Sequence, residues 1–112
     1  MIRVVSKSSA YVLGTDSALD LLKTYFTCTG ACALTVPTAN AAVGQAFGAI
    51  AGTSNAVITV VAAGSNVFVD RVGAAYTLVT FENVQGTEAV FTCIETGKWF
   101  VSYSDGVTLS TP

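Results

Sequence analysis

Six short runs rich in valine, isoleucine, threonine and phenylalanine lie between Ala31 and Val101: ALTVP (33–37), AVITVV (56–61), NVFV (66–69), TLVTF (77–81), EAVFTCI (88–94) and KWFV (98–101). Glycine-bearing breaks separate these runs. β-Branched and aromatic residues are enriched in strands, and many short strands with turn signals between them are typical of all-β sandwiches and barrels. The sequence therefore predicts an all-β fold, a small antiparallel β-sandwich or barrel of short strands.

Several turns can be placed within this pattern. Gly97 and Gly106 each follow polar residues where a short hairpin loop needs a positive φ, so the last strands are predicted to fold back. The segment Asp16–Leu22 lacks a full helical stripe and allows one helical turn at most. In the segment Gln45–Ala51 the only large apolar residues are Phe47 and Ile50. Gly44, Gly48 and Gly52 lie around them, and this spacing of small residues indicates close approach of neighbouring backbone.

The length of the chain bounds its organisation. Its 112 residues are enough for one domain with a small core. We assign residues 1–23 to an N-terminal arm and lead-in, and residues 24–112 to a single β domain. The alanine-rich stretch 38–43 is expected to add one helical turn. Large apolar residues within the strand runs are expected to form the core, namely Trp99, Phe91, Leu34 and Ile58.

The composition is short of ionic side chains. Charged residues make up 11% of the chain, against about 25% in typical soluble domains, and hydrophobic residues make up 52%. Either partners cover much of the surface, or this is an unusually uncharged soluble domain rich in threonine and serine. The run Ala56–Val61 is apolar at both parities, whereas a one-sided antiparallel sheet alternates apolar with polar residues. We therefore favour a covered surface, which a homo-oligomer naturally provides.

Four residues are candidates for a subunit interface. Asp70 and Arg71 form a charge pair beside a strand in an otherwise uncharged region. As an ion pair in a loop, it would contribute little to stability. At a subunit contact, it would instead fix the register of the two subunits. The sequence is compatible with both interpretations. Val57 and Val61 belong to the two-sided strand and complete the set.

Several classes of partner are disfavoured. The net charge is −2 and the five basic residues are scattered, unlike the basic footprint of a nucleic-acid-binding protein. No apolar run approaches the roughly 20 residues of a membrane span. The apolar centre of a signal peptide is also missing near the first residues. We therefore expect no nucleic-acid partner, no membrane partner, and synthesis in the cytosol.

Catalysis is disfavoured as well. The chain has no histidine, the usual base for a serine or cysteine nucleophile, and it holds no phosphate loop or dinucleotide fingerprint. We expect no enzymatic activity and no cofactor. The cysteines, Cys28, Cys32 and Cys93, are too few for a zinc site without histidine. We expect them to be small buried hydrophobes, while a Cys28–Cys32 disulfide would need a bend at Gly30.

Four short motifs follow one another in a characteristic order between residues 24 and 103: LTVPTA (34–39), VGQ (43–45), VITV (57–60) and GKWFV (97–101). This order resembles a β-rich module of bacteriophage structural proteins. In such modules a Thr-Leu-Pro-x-Ala strand end leads to a small-residue turn, a Val-Thr-Ile strand, an Asp-bearing loop and a closing hairpin with tryptophan. Here Val36 stands where leucine is usual. Modules of this type occur in capsid decoration (cement) proteins, head fibres and tail fibres, usually as trimers.

The resemblance implies a homotrimeric virion protein. Because a tail fibre needs an anchor and a receptor tip, for which this chain has no room, we favour a capsid decoration protein. It would bind the major capsid protein on the outer capsid surface and stabilise the shell. The residues expected to grip the shell are those of the arm, Ile2, Arg3, Val4, Val5 and Lys7. The alternatives are a trimeric tail-fibre or baseplate module and a carbohydrate-binding module that uses Trp99 or Tyr103.

Overall fold

The computed structural model describes residues 2–37, 43–53 and 57–111. The helical turn expected at 38–43 lies outside the described residues, apart from Val43. The described residues form twelve strands joined by turns and loops, with one short 3₁₀ turn, Ala18–Leu21. The strands are β1 (Arg3–Lys7), β2 (Tyr11–Val12), β3 (Thr24–Cys28), β4 (Cys32–Val36), β5 (Ala46–Ala51), β6 (Ile58–Ala62), β7 (Val67–Val69), β8 (Ala75–Tyr76), β9 (Leu78–Phe81), β10 (Glu88–Glu95), β11 (Lys98–Tyr103) and β12 (Val107–Ser110).

Two sheets pack face to face around one apolar core. The seven-stranded sheet has the order β1-β3-β5-β10-β11-β7-β8, and the five-stranded sheet has the order β12-β9-β6-β4-β2. The mostly-β prediction is therefore confirmed. The described part of β1 belongs to the same sheet as the strands of the domain, so residues 3–7 are built into the sandwich.

The antiparallel prediction is wrong for the first half of the chain, because both sheets are mixed. Successive strands from β1 to β6 alternate between the two sheets, so the chain winds as a coil. Strands of successive turns then pair in parallel: β1 with β3 and β3 with β5 in one sheet, β2 with β4 and β4 with β6 in the other. Parallel strands need a long crossover, which is usually a helix. Here each crossover is a strand of the opposite sheet, and it leaves no helical pattern in the sequence.

The second half of the chain is mainly antiparallel. The hairpin expected at Gly97 joins β10 to β11, and Gly97 has a φ of 77°. The last strand, β12, also forms, but it pairs with β9 in the other sheet and does not return along β11. The run 77–81 forms a strand only from Leu78, because the chain leaves the seven-stranded sheet at Tyr76 and enters the five-stranded sheet at Leu78.

An aromatic cluster fills the space between the sheets. Phe47 stacks on Phe91 with ring centroids 4.6 Å apart, and Trp99 meets Phe47 edge to face at 5.5 Å. Phe68 lies 5.3 Å from Phe91. The four residues expected in the core, Trp99, Phe91, Leu34 and Ile58, are all 0% exposed. Aromatic and aliphatic burial of this kind is the main source of stability in so small a domain.

Candidate interaction surface

A buried carboxylate fixes β1 to the rest of the molecule. Asp20 lies in the 3₁₀ turn and is 1% exposed. Arg3 donates to its carboxylate at 2.9 Å, and Tyr11 donates a short hydrogen bond to the other oxygen. The backbone N–H of Gly14 adds a hydrogen bond at 2.9 Å. Arg3 also donates to the hydroxyl of Thr24 at 2.9 Å, so its guanidinium joins β1 to β3 and to the turn.

The charge of Asp20 is well stabilised by these donors. Burial alone raises the pKa of the Asp20 carboxyl, but the hydrogen bonds from Tyr11, Arg3 and Gly14 outweigh burial and hold the pKa below its ordinary value. Burial and the hydrogen bond to Asp20 raise the pKa of Tyr11. Asp20 is therefore ionised and Tyr11 neutral at neutral pH, which is the combination that this network requires.

The C-terminal end of β1 is also fixed by a charged side chain that faces inward. Lys7 forms an ion pair with Asp16 at 3.0 Å, and its ammonium lies 3.6 Å from the centroid of the Tyr11 ring. Val5 packs against the core. Arg3, Val5 and Lys7 therefore face inward, and only the alternate residues of the expected gripping arm remain available.

The outward residues of β1 continue into an apolar row on the outer face of the seven-stranded sheet. The strand registers place Val4 beside Tyr25, Tyr25 beside Gly48, and Gly48 beside Val90. Val4 is 69% exposed and Val90 is 39% exposed. With the neighbouring Ile2 and Leu22, these side chains form a surface that we call the outer patch (Ile2, Val4, Leu22, Tyr25 and Val90).

The ring of Tyr25 lies flat on the sheet because Gly48 has no side chain. A Cβ at Gly48 would come within 2.6 Å of the Tyr25 ring, so a side chain approaches this glycine closely, and not the neighbouring backbone that the sequence predicts. The Tyr25 hydroxyl reaches across the sheet and donates to the carboxylate of Glu88 at 2.5 Å. Burial and the Glu88 carboxylate raise the pKa of Tyr25, so its hydroxyl remains a donor.

A shallow cavity of about 230 Å³ opens within the outer patch. Its lining is almost wholly apolar: Ile2, Leu22, Tyr25, Phe47, Gly48 and Val90 surround it, together with Lys23, Thr24 and Ala46. Its size and lining suit an apolar side chain of a partner, because such cavities favour burial of apolar groups with a few polar groups at the rim.

The four subunit-interface candidates do not form one surface. Asp70 and Arg71 follow β7, near the edge of the seven-stranded sheet opposite β1. The Asp70 carboxylate accepts hydrogen bonds from the backbone N–H groups of its own loop and closes it. Val57, which is 56% exposed, and the half-buried Val61 lie instead at β6 of the other sheet.

The cysteines and the tryptophan are buried in the core. Cys28, Cys32 and Cys93 are free thiols, as the buried-hydrophobe interpretation expects. Burial and the neighbouring Cys32 raise the pKa of the Cys28 thiol to about 12, so it is uncharged at neutral pH. Trp99 is 0% exposed and cannot stack on a sugar, whereas Tyr103 is 46% exposed.

Residues 2–37, 43–53 and 57–111 contain no group of three or more acidic, cysteine or histidine side chains placed to hold a metal ion. Within the same residues, no helix has the length and apolar character of a membrane span.

Sequence reasoning identified the outward residues of β1 but missed the rest of the outer patch. The alternation in β10 carried part of the signal, since Phe91 and Cys93 point inward while Val90 and Ile94 occupy positions where polar residues are usual. The placement of Tyr25 over Gly48 depends on the register of two strands far apart in the chain. No local pattern encodes that register.

Comparisons of this chain with protein families, with curated proteins and with solved structures found no match.

Proposed function

We propose that this chain is a non-catalytic virion structural protein, a capsid decoration (cement) protein that attaches to the major capsid protein through the outer patch. The motif order given above supports the phage assignment. The observation that carries the attachment site is the row Val4–Tyr25–Gly48–Val90, which runs across four adjacent strands and ends in two exposed valines.

The outer patch is suited to such a contact for two reasons. Burial of its apolar side chains against a partner stabilises the complex by about 25 cal/mol per Å² of surface removed from water. The patch also lies on a sheet that is already held in place by the core, so binding costs little conformational entropy. The cavity between Leu22, Tyr25 and Val90 would receive one apolar side chain of the capsid protein as an anchor.

The homotrimer implied by the resemblance is part of this proposal. Three linked copies would present three outer patches to the symmetric shell, and linked contacts bind far more tightly than a single one. Sedimentation equilibrium of the purified protein measures this directly, because a trimer has three times the mass of the chain.

The test is occupancy of capsids purified without this protein. Val90→Asp places a charge in the outer patch and should abolish binding, because the carboxylate would be desolvated against apolar side chains. Val84→Asp is the matched control, since Val84 is a valine of similar exposure (48%) in the turn between β9 and β10. It should bind like the unaltered protein.

Three other results would count against the proposed site or the proposed role. Full occupancy by the Val90→Asp protein would exclude the outer patch as the attachment site. Loss of binding by Val57→Asp, with binding retained by Val90→Asp, would move the site to the five-stranded sheet. Labelling of the protein at the virion tail instead of the head would favour the tail-fibre or baseplate alternative.

A further inference from the structure

One edge of the seven-stranded sheet is open along a whole strand. The backbone N–H of Arg3 and the carbonyl of Lys7 both form hydrogen bonds on the β3 side of β1. In a parallel pair, successive residues direct their backbone groups to opposite sides of the strand. The N–H and C=O groups of Ile2, Val4 and Ser6 therefore point away from the sheet, at its outer edge.

The remaining sheet edges are shorter or occupied. Within the described residues, β8 and β2 contain two residues each and β12 contains four, whereas β1 contains five. In β2 the carbonyl of Val12 already accepts hydrogen bonds from the N–H and the hydroxyl of Thr15, at 3.2 and 2.7 Å. Proteins usually protect an exposed edge with proline, a bulge, charged side chains or a short strand. β1 has no proline and no bulge, its two charged residues Arg3 and Lys7 are paired with Asp20 and Asp16, and Val4 is 69% exposed on it.

We propose that β1 pairs antiparallel with β1 of a second copy of this chain, about a two-fold axis. The pairing would join two seven-stranded sheets into one continuous sheet and satisfy the open backbone groups of both copies. This contact goes beyond capsid attachment and does not depend on it.

The charges of β1 disfavour one register in which the open backbone groups of both copies would still meet. If Val5 stood opposite Val5 of the second copy, Arg3 would face Lys7, and like charges directly opposite one another are destabilising. With Val4 opposite Val4, Arg3 faces Val5 and this repulsion is avoided. The same register sets Ile2 against Ser6, so each outward residue meets an outward residue and the pairs exchange both backbone hydrogen bonds.

The two-fold contact has a consequence for the outer patch. The two Val4 side chains would lie directly opposite each other, and the two outer patches would lie on the same side of the joined sheet. The contact is of a different kind from the three-fold contact implied by the resemblance. β1 pairing alone would give a dimer. Combined with that trimer, it would join two trimers into a hexamer, with each chain of one trimer paired to a chain of the other.

A proline at the open edge tests the pairing. Val4→Pro removes an N–H that points away from β3, so the fold should persist, as proline is tolerated on edge strands. Val12→Pro is the matched control on the edge strand of the other sheet. Sedimentation equilibrium over a dilution series should show half the mass for Val4→Pro and an unchanged mass for Val12→Pro. An unaltered protein that is monomeric at every concentration, or a Val4→Pro protein of unchanged mass, would overturn the proposal.

Cross-linking tests the register without a proline. In the favoured register the two Cα atoms at position 4 lie about 5.5 Å apart, within the range of a disulfide. Val4→Cys should therefore form a covalent dimer with oxidised glutathione, which is reduced to two thiols as the two protein thiols lose their hydrogens. Ser6→Cys should not, because its two copies would lie about 13 Å apart, at roughly 3.3 Å per residue. Equal cross-linking of both variants would overturn the register, and no cross-linking of Val4→Cys would overturn the contact.

Discussion

The two faces of the seven-stranded sheet both carry apolar residues, but those on the inner face are buried and several of those on the outer face are exposed. On the inner face, Phe47, Phe91 and Trp99 are at most 2% exposed and touch one another. On the outer face, Val4 and Val90 are exposed, although they belong to the same sheet. The inner residues hold the sheets together. The outer residues add little to that packing, and this difference is what makes them available for a contact with another protein.

The largest expected effect separates two neighbouring residues of β10. Phe91→Ala should lower the free energy of unfolding by about 3–5 kcal/mol, because it removes a ring from the centre of the aromatic cluster and leaves a cavity. Val90→Ala on the outer face should cost less than about 1 kcal/mol. Urea unfolding followed by tryptophan fluorescence measures both. Similar costs at the two positions would mean that the outer face also contributes to the core.

A smaller effect is expected at the buried carboxylate that fixes β1. Asp20→Asn should cost about 2 kcal/mol, because it leaves the Arg3 guanidinium without its counter-charge. Arg3 is 32% exposed, and solvent moderates the loss. Asp16→Asn is the matched control, since Asp16 is 63% exposed in its pair with Lys7 and should cost less than about 0.5 kcal/mol. Equal effects of the two substitutions in urea unfolding would contradict the assigned role of Asp20.

The ionisation of Asp20 should also make the stability of the fold depend on pH. The folded-state pKa of Asp20 is lowered, so its stabilising contribution is fully present above the unfolded-state value of about 3.9. That contribution is lost as the pH falls through the lower folded-state pKa. The unaltered protein should therefore lose stability on acidification below about pH 4, and Asp20→Asn should lose less. Urea midpoints measured across this range check the prediction, and parallel curves for both proteins would contradict it.

The smallest effect on stability is expected beneath the outer patch. Gly48→Ala places a Cβ against the Tyr25 ring and should displace it, at a cost of about 1–2 kcal/mol. Tyr25→Phe is the control, because it keeps the ring and removes only the hydrogen bond to Glu88. We expect Gly48→Ala to impair capsid occupancy and Tyr25→Phe to preserve it. Unimpaired occupancy by Gly48→Ala would show that the position of the ring does not matter.

The core between the sheets could be largely predicted from the sequence, whereas most of the outer face of the seven-stranded sheet could not. Core residues such as Trp99 and Ile58 stand in β-branched and aromatic runs, and the β10–β11 hairpin follows from Gly97, because these signals are local. The parallel coil from β1 to β6 depends on which distant strands become neighbours. β5 was missed as a strand because Ala46–Ala51 contains only two large residues, Phe47 and Ile50, among alanines and a glycine. That glycine, Gly48, is what allows the Tyr25 ring to lie on the strand.

The most direct measurement combines stability and attachment in one protein. The double variant Val4→Ser with Val90→Ser removes the exposed apolar groups at both ends of the outer row without adding charge. Its urea midpoint should stay close to that of the unaltered protein, because neither side chain belongs to the core, while its occupancy on capsids should be lost. Full occupancy, or a midpoint lowered as far as that of Phe91→Ala, would contradict the division between an inner face that folds and an outer face that binds.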